Sequence, residues 1–353
     1  MFKFKKYSKS LLCLSLVFML VGCGQNTKKN EQTTQQEPIK RTEMLMGTVI
    51  SVTLYDSTDE TILDKVFDKV KNLEETLSIN EAGTEVDKIN ENAGIEPVKV
   101  SDDTIEVVKE GLYYSDLSHG KFDITIGPLV KLWNIPDRPT DDIPTQDEID
   151  AVLPLTNYKD VVVDENSKTV FLTRPGMMLD LGGIAKGYTA DVISKMLTNE
   201  GVKSAIIDLG GNIFAHGEKV SGDAWKIGIQ NPFSTRGEIV GAISTKNKSI
   251  VTSGVYERYI EVNGVKYHHI LNPETGYPYE NNIAGITIIS DKSTTGDALS
   301  TSVFALGVDE GIKFVEGLDG VDAIFVTKDN GIYLTSGIKD NFELRDDNFK
   351  VMN

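Results

Sequence analysis

The sequence predicts an α+β fold, because segments with the pattern of amphipathic helices alternate with segments that have the pattern of strands and hairpins. Val49 to Tyr55 has the alternation of a strand, and Ile62 to Leu77 places apolar residues on one face of a helix that Thr58 or Asp59 could cap. Asn263-Gly264 separates two short strand patterns, which is typical of a type I′ hairpin turn. A chain of 353 residues is long enough to bury a large core in one or two domains.

The remaining elements follow from the same patterns. Ser101 is expected to begin a second helix, a loop shaped by Gly and Pro follows at 120–129, and 136–150 is expected to be a polar surface excursion. Apolar alternation and spacing then predict a hairpin at 161–173, a helix from 184, a strand at 205–207, mostly strands over 225–289, helices over 294–307 and 310–316, and strands at 323–326 and 332–335.

The N-terminus has the pattern of a bacterial lipoprotein signal. Basic residues precede an apolar stretch at 11–21 that is too short for a comfortable membrane span, and Leu20-Val21-Gly22-Cys23 is similar to a lipobox. We expect a signal peptide at 1–22, lipidation of Cys23, a disordered tether over 23–42 and one folded domain over 43–353. The protein would then be lipid-anchored on the extracytoplasmic face of a bacterial membrane. The alternative is a plain signal peptide with an accidental cysteine.

The net charge argues against nucleic acid as a partner. The formal charge is −17, and removal of the four lysines in 1–22 would change it to −17 − 4 = −21. A chain this acidic lacks the general basic surface that binds a phosphate backbone.

A glycine turn between a strand and a helix is the central feature of the sequence. Residues 178–191 contain Asp180, Gly182-Gly183 and Lys186, followed by apolar residues at helical spacing. A strand that leads through glycines into a helix can present backbone N–H groups and a positive dipole end to a phosphate. The alternative is a tight turn without a ligand, since neither GxGxxG nor GxxxxGK[ST] is present.

Three further segments carry residues suited to a site. Phe122 could stack on a planar ligand and Asp123 could accept a hydrogen bond from it, although a buried Phe beside a turn is the alternative. The adjacent His268 and His269 would point to opposite faces of a strand, and a lone histidine can equally be structural. Asp297 and Thr301 are four residues apart on one helix face, which suits Mg²⁺. The alternative there is an acid favoured by the helix dipole.

In this order the segments resemble the ApbE family of FAD:protein FMN transferases over roughly residues 43 to 340. The matching motifs are Met-Gly-Thr, Phe-Asp-Ile-Thr-x-Gly-Pro, Asp-Leu-Gly-Gly-Ile-Ala-Lys-Gly-Tyr, Asp-Leu-Gly-Gly-Asn, His-His-Ile-x-x-Pro-x-Thr-Gly and Asp-Ala-Leu-x-Thr. The resemblance implies an ApbE-like (T-fold-like) α+β fold, with an antiparallel sheet, flanking helices and two lobes around a flavin cleft.

The resemblance also implies residue roles. The positions that would bind FAD are Met46, Asn80, Lys121, Phe122, Asp123, Asp180, Lys186, Ile270 and, as a phosphate contact, Arg258. Asp297, Thr301 and the Gly183 carbonyl match the Mg²⁺ ligands, and His269 lies where the family has a histidine near the transferred phosphate.

Three positions depart from the family pattern. Asn272 stands where Asp is more usual, and His119 has no role that we can assign. Asn80 stands where many members have an aromatic residue that contacts the flavin or the adenine. Loss of that aromatic could weaken retention of FAD and favour its turnover.

The implied activity is Mg²⁺-dependent transfer of FMN from FAD to a Ser or Thr hydroxyl of an exported protein, with release of AMP. His269, or proximity of the metal, would remove the proton from the attacking hydroxyl. Two alternatives stay open, an FAD pyrophosphatase that releases FMN and AMP, and a non-catalytic flavin-binding lipoprotein. The chain itself has no convincing acceptor sequence, so the acceptor would be another exported protein.

Overall fold

The computed structural model describes residues 37–139 and 142–353, which contain seven helices and seventeen strands. The signal peptide, Cys23 and most of the predicted tether lie outside the described residues. The strands are β1 Ile39–Leu45, β2 Thr48–Leu54, β3 Val98–Lys99, β4 Val161–Asp164, β5 Thr169–Leu172, β6 Ser204–Leu209, β7 Asn212–Gly217, β8 Trp225–Gln230, β9 Ile239–Thr245, β10 Lys248–Gly254, β11 Tyr259–Val262, β12 Val265–His268, β13 Ile283–Ser290, β14 Asp322–Thr327, β15 Gly331–Leu334, β16 Phe342–Leu344 and β17 Lys350–Val351. The helices are α1 Glu60–Leu77, α2 Glu85–Glu91, α3 Asp102–Leu117, α4 Gly127–Trp133, α5 Gln146–Val152, α6 Ala185–Asn199 and α7 Ser293–Glu316.

A nine-stranded sheet forms the centre of the fold, in the order β1-β2-β6-β7-β10-β13-β14-β15-β17. All neighbouring strands are antiparallel except the β15–β17 pair. The predicted α+β class with an antiparallel sheet and flanking helices is therefore confirmed.

Apolar residues are buried on both faces of this sheet. On one face α1, α6 and α7 pack against it, and on the other face lies the three-stranded sheet β16-β9-β8. Strand β13 is buried at every position, as expected for a central strand that is covered on both sides.

The amphipathic pattern of α1 is confirmed. All of the apolar residues predicted to face the core are buried, and Asp59 caps the helix by accepting a hydrogen bond from the Thr61 N–H. Ser101 likewise caps α3. The Asn263-Gly264 turn has positive φ at both residues, and β11 pairs with β12 around it, so the predicted type I′ hairpin is also confirmed.

Two expectations require correction. Strand β1 begins at Ile39, so the folded domain starts before residue 43 and overlaps the predicted tether. The strand was missed because it is a polar edge strand with Lys40, Arg41 and Glu43 exposed or nearly so. The segment 136–150 was expected to be a polar surface excursion, but it includes the start of α5, and Ile149 in that helix is fully buried.

Candidate active site

The glycine turn before α6 is held in place by its own carboxylate. The Gly182 N–H donates to Oδ1 of Asp180 at 2.7 Å, and α6 begins three residues later at Ala185. A methyl group added to Gly183 would lie 3.0 Å from Cε2 of Phe122 and 3.8 Å from Oγ1 of Thr301. Glycine at this position therefore lets an aromatic ring and a hydroxyl approach the backbone closely.

The loop after α3 brings Phe122 to this turn. His119 and Gly120 have φ values of 52° and 79°, which end the helix and reverse the chain. The Phe122 N–H then donates to Oγ of Ser118 at 3.0 Å. The Asp180 N–H donates to the Ile124 carbonyl at 2.8 Å, so the loop and the glycine turn form one unit. Phe122 is buried in the core beside the turn.

Asp297 connects α7 to the beginning of α6. Its Oδ2 accepts from the Gly187 N–H at 2.8 Å, and its Oδ1 lies 3.5 Å from Nζ of Lys186. Ile184, at the N-cap position of α6, makes no side-chain cap, so Asp297 satisfies an N–H group that α6 leaves free. Glycine at 187 is required for this contact, since a methyl group there would lie 2.4 Å from the Ser293 carbonyl oxygen.

The oxygen donors at this point fit a magnesium ion. Asp297 and Thr301 are on one face of α7, and Thr301 lies close to Gly183, whose carbonyl the family resemblance implies as a third ligand. One carboxylate, one hydroxyl and one carbonyl are hard donors, and Mg²⁺ typically takes few protein ligands and keeps several waters. No group of three or more His, Cys, Asp and Glu side chains suited to a metal occurs within 37–139 and 142–353.

His269 lies beside Arg258, and its tautomer is set by that residue. Nδ1 of His269 is 3.2 Å from the Arg258 carbonyl oxygen, which can only accept, so Nδ1 carries the hydrogen and Nε2 presents a lone pair. Burial, together with the positive charges of Arg258 and Lys186, lowers the pKa of His269 to about 4. The ring is therefore neutral at pH 7.

Positive side chains surround Asp180. Burial raises the pKa of its carboxyl group, and the charges of Lys131, Lys186 and Arg258 oppose that rise. Lys131 also donates from Nζ to the Asn80 amide oxygen at 3.3 Å. Asn80 is thus an exposed side chain bound to a lysine whose charge acts on Asp180.

Met46 is held at the tip of the β1–β2 hairpin. Its N–H donates to Oε1 of Glu74 at 2.5 Å, and the Thr189 hydroxyl lies 3.5 Å from its sulfur. Thr189 is on α6, one turn beyond Ala185, so Met46 lies close to the helix that the glycine turn begins.

Three other predicted residues have their side chains engaged within the protein. Lys121 pairs with Glu274 at 3.0 Å. The Asp123 carboxylate is buried and accepts from the Thr125 N–H and hydroxyl and from the Tyr158 N–H, which fixes the loop. Ile270 is 4% exposed and is part of the core. Their roles toward FAD stay predictions, and the structure supports a structural role for Asp123 as well.

Two charged residues of the site were missed by the sequence analysis. Glu257 is exposed at the surface, and the charges of Lys186, Arg258, Arg236 and Asp297 all act on it. Desolvation by the surrounding protein raises the pKa of its carboxyl group. Its position next to Arg258 was the available signal. Arg236, in the loop between β8 and β9, gave no signal in the sequence.

No helix among the described residues is both long enough and apolar enough to cross a membrane.

Comparison with known proteins identifies the family. The profile of the ApbE family matches residues 46–325. The FAD:protein FMN transferase of Klebsiella pneumoniae (strain 342) is 40% identical over 309 residues, which cover 88% of this chain and 95% of that protein. The protein of the same name from Treponema pallidum (strain Nichols) is 34% identical over 356 residues, which cover 95% of this chain and 96% of that protein.

Solved structures give the same result. An ApbE protein from Thermotoga maritima superposes with a TM-score of 0.79 at 30% identity, covering 88% of this chain and all of that one. The flavin transferase ApbE from Vibrio cholerae superposes with a TM-score of 0.77 at 27% identity, covering 86% of this chain and 99% of that one. The resemblance drawn from the six motifs is confirmed, and the chain belongs to the ApbE family.

Proposed function

We propose that this protein is an FAD:protein FMN transferase, an enzyme that moves FMN from FAD to a Ser or Thr hydroxyl of an exported protein and releases AMP. The names of its relatives support the transferase and its flavin substrate. The same proposal includes a requirement for Mg²⁺, a hydroxyl group as the acceptor and the release of AMP.

The proposal rests on the contacts that meet at Asp297. This carboxylate is 4% exposed, pairs with Lys186 and approaches the glycine turn through the Gly187 N–H. A lysine, a buried carboxylate and a hydroxyl brought together at the start of a helix are suited to a diphosphate and its metal ion. A bound Mg²⁺ would neutralise negative charge on the diphosphate.

The reaction breaks the bond between the FMN phosphorus and the bridging oxygen of the diphosphate. The acceptor oxygen forms the new bond to that phosphorus, and AMP leaves with the bridging oxygen. Lys186 stabilises the charge that grows on the leaving phosphate. The hydroxyl proton passes to Nε2 of His269, whose lone pair is free because Nδ1 donates to the Arg258 carbonyl oxygen. The negative diphosphate beside the ring raises the pKa of His269 from its low value, so the ring becomes a better base when FAD is bound.

The same proposal places the enzyme on the extracytoplasmic face of a bacterial membrane, anchored through Cys23. Only the N-terminal sequence supports this part. Cells fed an alkyne-labelled palmitate should label the wild-type protein but not Cys23→Ala, which should appear in the soluble fraction. Equal labelling of both proteins would contradict the lipidation proposal.

The direct test incubates the purified protein with FAD, Mg²⁺ and an exported flavoprotein that has an acceptor sequence. Intact mass and in-gel flavin fluorescence report the acceptor, and chromatography reports AMP and FMN. We expect one FMN of added mass for each AMP, and no reaction with excess EDTA. AMP with an equal amount of free FMN and an unlabelled acceptor would instead show a pyrophosphatase. FAD binding without any AMP would show a flavin-binding protein.

A further inference from the structure

Two arginines lie over neighbouring turns at one end of the large sheet. A methyl group added to Gly47 would lie 3.7 Å from Nη2 of Arg258, and one added to Gly211 would lie 3.7 Å from Nη2 of Arg236. Gly47 is in the turn between β1 and β2, and Gly211 is in the turn between β6 and β7. Each guanidinium group therefore covers the tip of a hairpin.

These two hairpin tips are in contact. Strand β2 pairs with β6, and a methyl group added to Gly210 would lie 2.0 Å from Oγ1 of Thr48. Both turns have positive φ at both central residues, which produces the tight two-residue form. The two guanidinium groups consequently belong to one surface, although Arg236 and Arg258 come from different loops.

These two arginines differ from the others in the chain. The four remaining arginines each form an ion pair with a carboxylate. Within 37–139 and 142–353, neither Arg236 nor Arg258 has a carboxylate within ion-pair distance of its guanidinium group. The chain has 53 acidic and 36 basic residues, so two arginines without such a partner are unusual here.

The loop that carries Arg236 is braced from both ends. The Gly237 N–H donates to Oε1 of Gln230 at 2.9 Å, and Nε2 of Gln230 donates to the carbonyls of Asn231 and Thr235. The Asn231 N–H donates to the Glu238 carbonyl at 2.8 Å. Such bracing reduces the entropy lost when a side chain at the loop tip binds a ligand.

The two arginines also act on the same carboxylate as Lys186 and Asp297 do. The charges of Lys186, Arg258, Arg236 and Asp297 all act on the carboxylate of Glu257. Lys186, Arg258 and Arg236 bring three positive charges together here, in a chain whose net charge is −17. An anionic ligand is therefore favoured at this point of the surface.

We propose that Arg236, together with Arg258, binds the diphosphate of FAD. This inference rests on the proposed function for the identity of the anion. Guanidinium groups form paired, charge-assisted hydrogen bonds with phosphate oxygens, and two of them on adjacent turns can hold a diphosphate in one orientation. Arg236 is then a substrate-binding residue supplied by the loop between β8 and β9.

The test measures ligand binding without an acceptor protein. FAD, ADP and riboflavin are titrated into the wild type and Arg236→Gln by calorimetry, with and without Mg²⁺. We expect Kd for FAD and for ADP to rise about ten-fold in the variant, as for loss of one charge-assisted hydrogen bond, while Kd for riboflavin stays the same. Arg236→Lys, which keeps the charge but loses the planar fork, should have an intermediate Kd.

Arg345→Gln is the matched control, because it removes the same charge from a position just after β16, the strand that pairs with β9. Glu343, the partner of Arg345, keeps Lys226 as a second partner. Equal FAD affinities in Arg236→Gln and Arg345→Gln would overturn the proposal. A raised KM for the acceptor protein with unchanged FAD affinity would also overturn it, and would assign Arg236 to the acceptor. Wild-type protein that binds FAD but labels no acceptor refutes the transferase, not the arginine contact.

Discussion

Replacing Asp297 by Asn and by Ala should separate its two roles. The carboxylate is a predicted magnesium ligand, and it also accepts the Gly187 N–H at 2.8 Å at the start of α6. Asn keeps an oxygen that can accept this hydrogen bond, whereas Ala removes it. We therefore expect both variants to lose Mg²⁺-dependent turnover, and only Ala to lose substantial stability.

The size of the stability difference follows from the contacts. Loss of a helix cap costs about 0.5–2 kcal/mol, and a buried N–H left without a partner costs about 1–3 kcal/mol. These describe the same hydrogen bond, so we expect Asp297→Ala to lower the free energy of unfolding by about 1–3 kcal/mol. For a folded domain of more than 300 residues that is roughly 2–5 °C in Tm. The pair with Lys186 adds little, since that lysine is partly exposed and 3.5 Å away.

Thermal unfolding of the three proteins in EDTA measures the capping role without any metal. AMP release from FAD in Mg²⁺ measures the other role. If Asn lowers Tm as much as Ala does, the hydrogen bond to Gly187 does not stabilise α6. If either variant releases AMP at the wild-type rate, the assignment of Asp297 to the metal is wrong.

Two further changes test the packing and the pH dependence. Gly187→Ala places a methyl group 2.4 Å from the Ser293 carbonyl oxygen, so it should cost about 1–3 kcal/mol in urea unfolding and most of the activity, whereas Gly317→Ala, with its nearest neighbour at 3.4 Å, should cost little. An unchanged urea midpoint for Gly187→Ala would contradict the close contact of α6 and α7. His268 is buried neutral, since its Nε2 donates to the Tyr279 carbonyl and burial lowers its pKa to about 4 from about 6.5 in the unfolded chain. Its contribution is therefore present above pH 6.5 and lost as the pH falls through 4, by up to about 3 kcal/mol. His268→Gln should flatten this part of the stability curve relative to the wild type, and parallel curves would refute the assignment.

The parts of the fold that were predictable are those whose signal is local. Helix α1 was predicted because its apolar residues recur at helical spacing, and the β11–β12 hairpin because Asn263-Gly264 favours positive φ at both positions. Strand β1 was missed because its stability comes from pairing with β2 and not from its own burial. Strands β16 and β17 are too short to have a pattern, and their partners β9 and β15 are distant in sequence or parallel.

The candidate site divides in the same way. The glycine turn and the Asp297–Thr301 pair were found because each is a short motif with its own chemistry. Arg236 was not found, because it reaches the site only through the packing of β8 and β9 against the large sheet. Glu257 was not found because the pKa of its carboxyl group is raised mainly by desolvation in the folded protein, which the sequence does not show. Residues of this second kind require a structure.

The dual use of Asp297 limits what activity measurements can show about this site. Its carboxylate caps α6, Gly187 allows that contact, and Phe122 packs on Gly183 within the same turn. A substitution at any of these positions disturbs the start of α6, and the start of α6 is also where Lys186 is positioned. Loss of turnover alone would therefore not distinguish a ligand from a support. The distinction requires paired variants, such as Asn and Ala at 297, in which the hydrogen bond is kept in one and removed in the other.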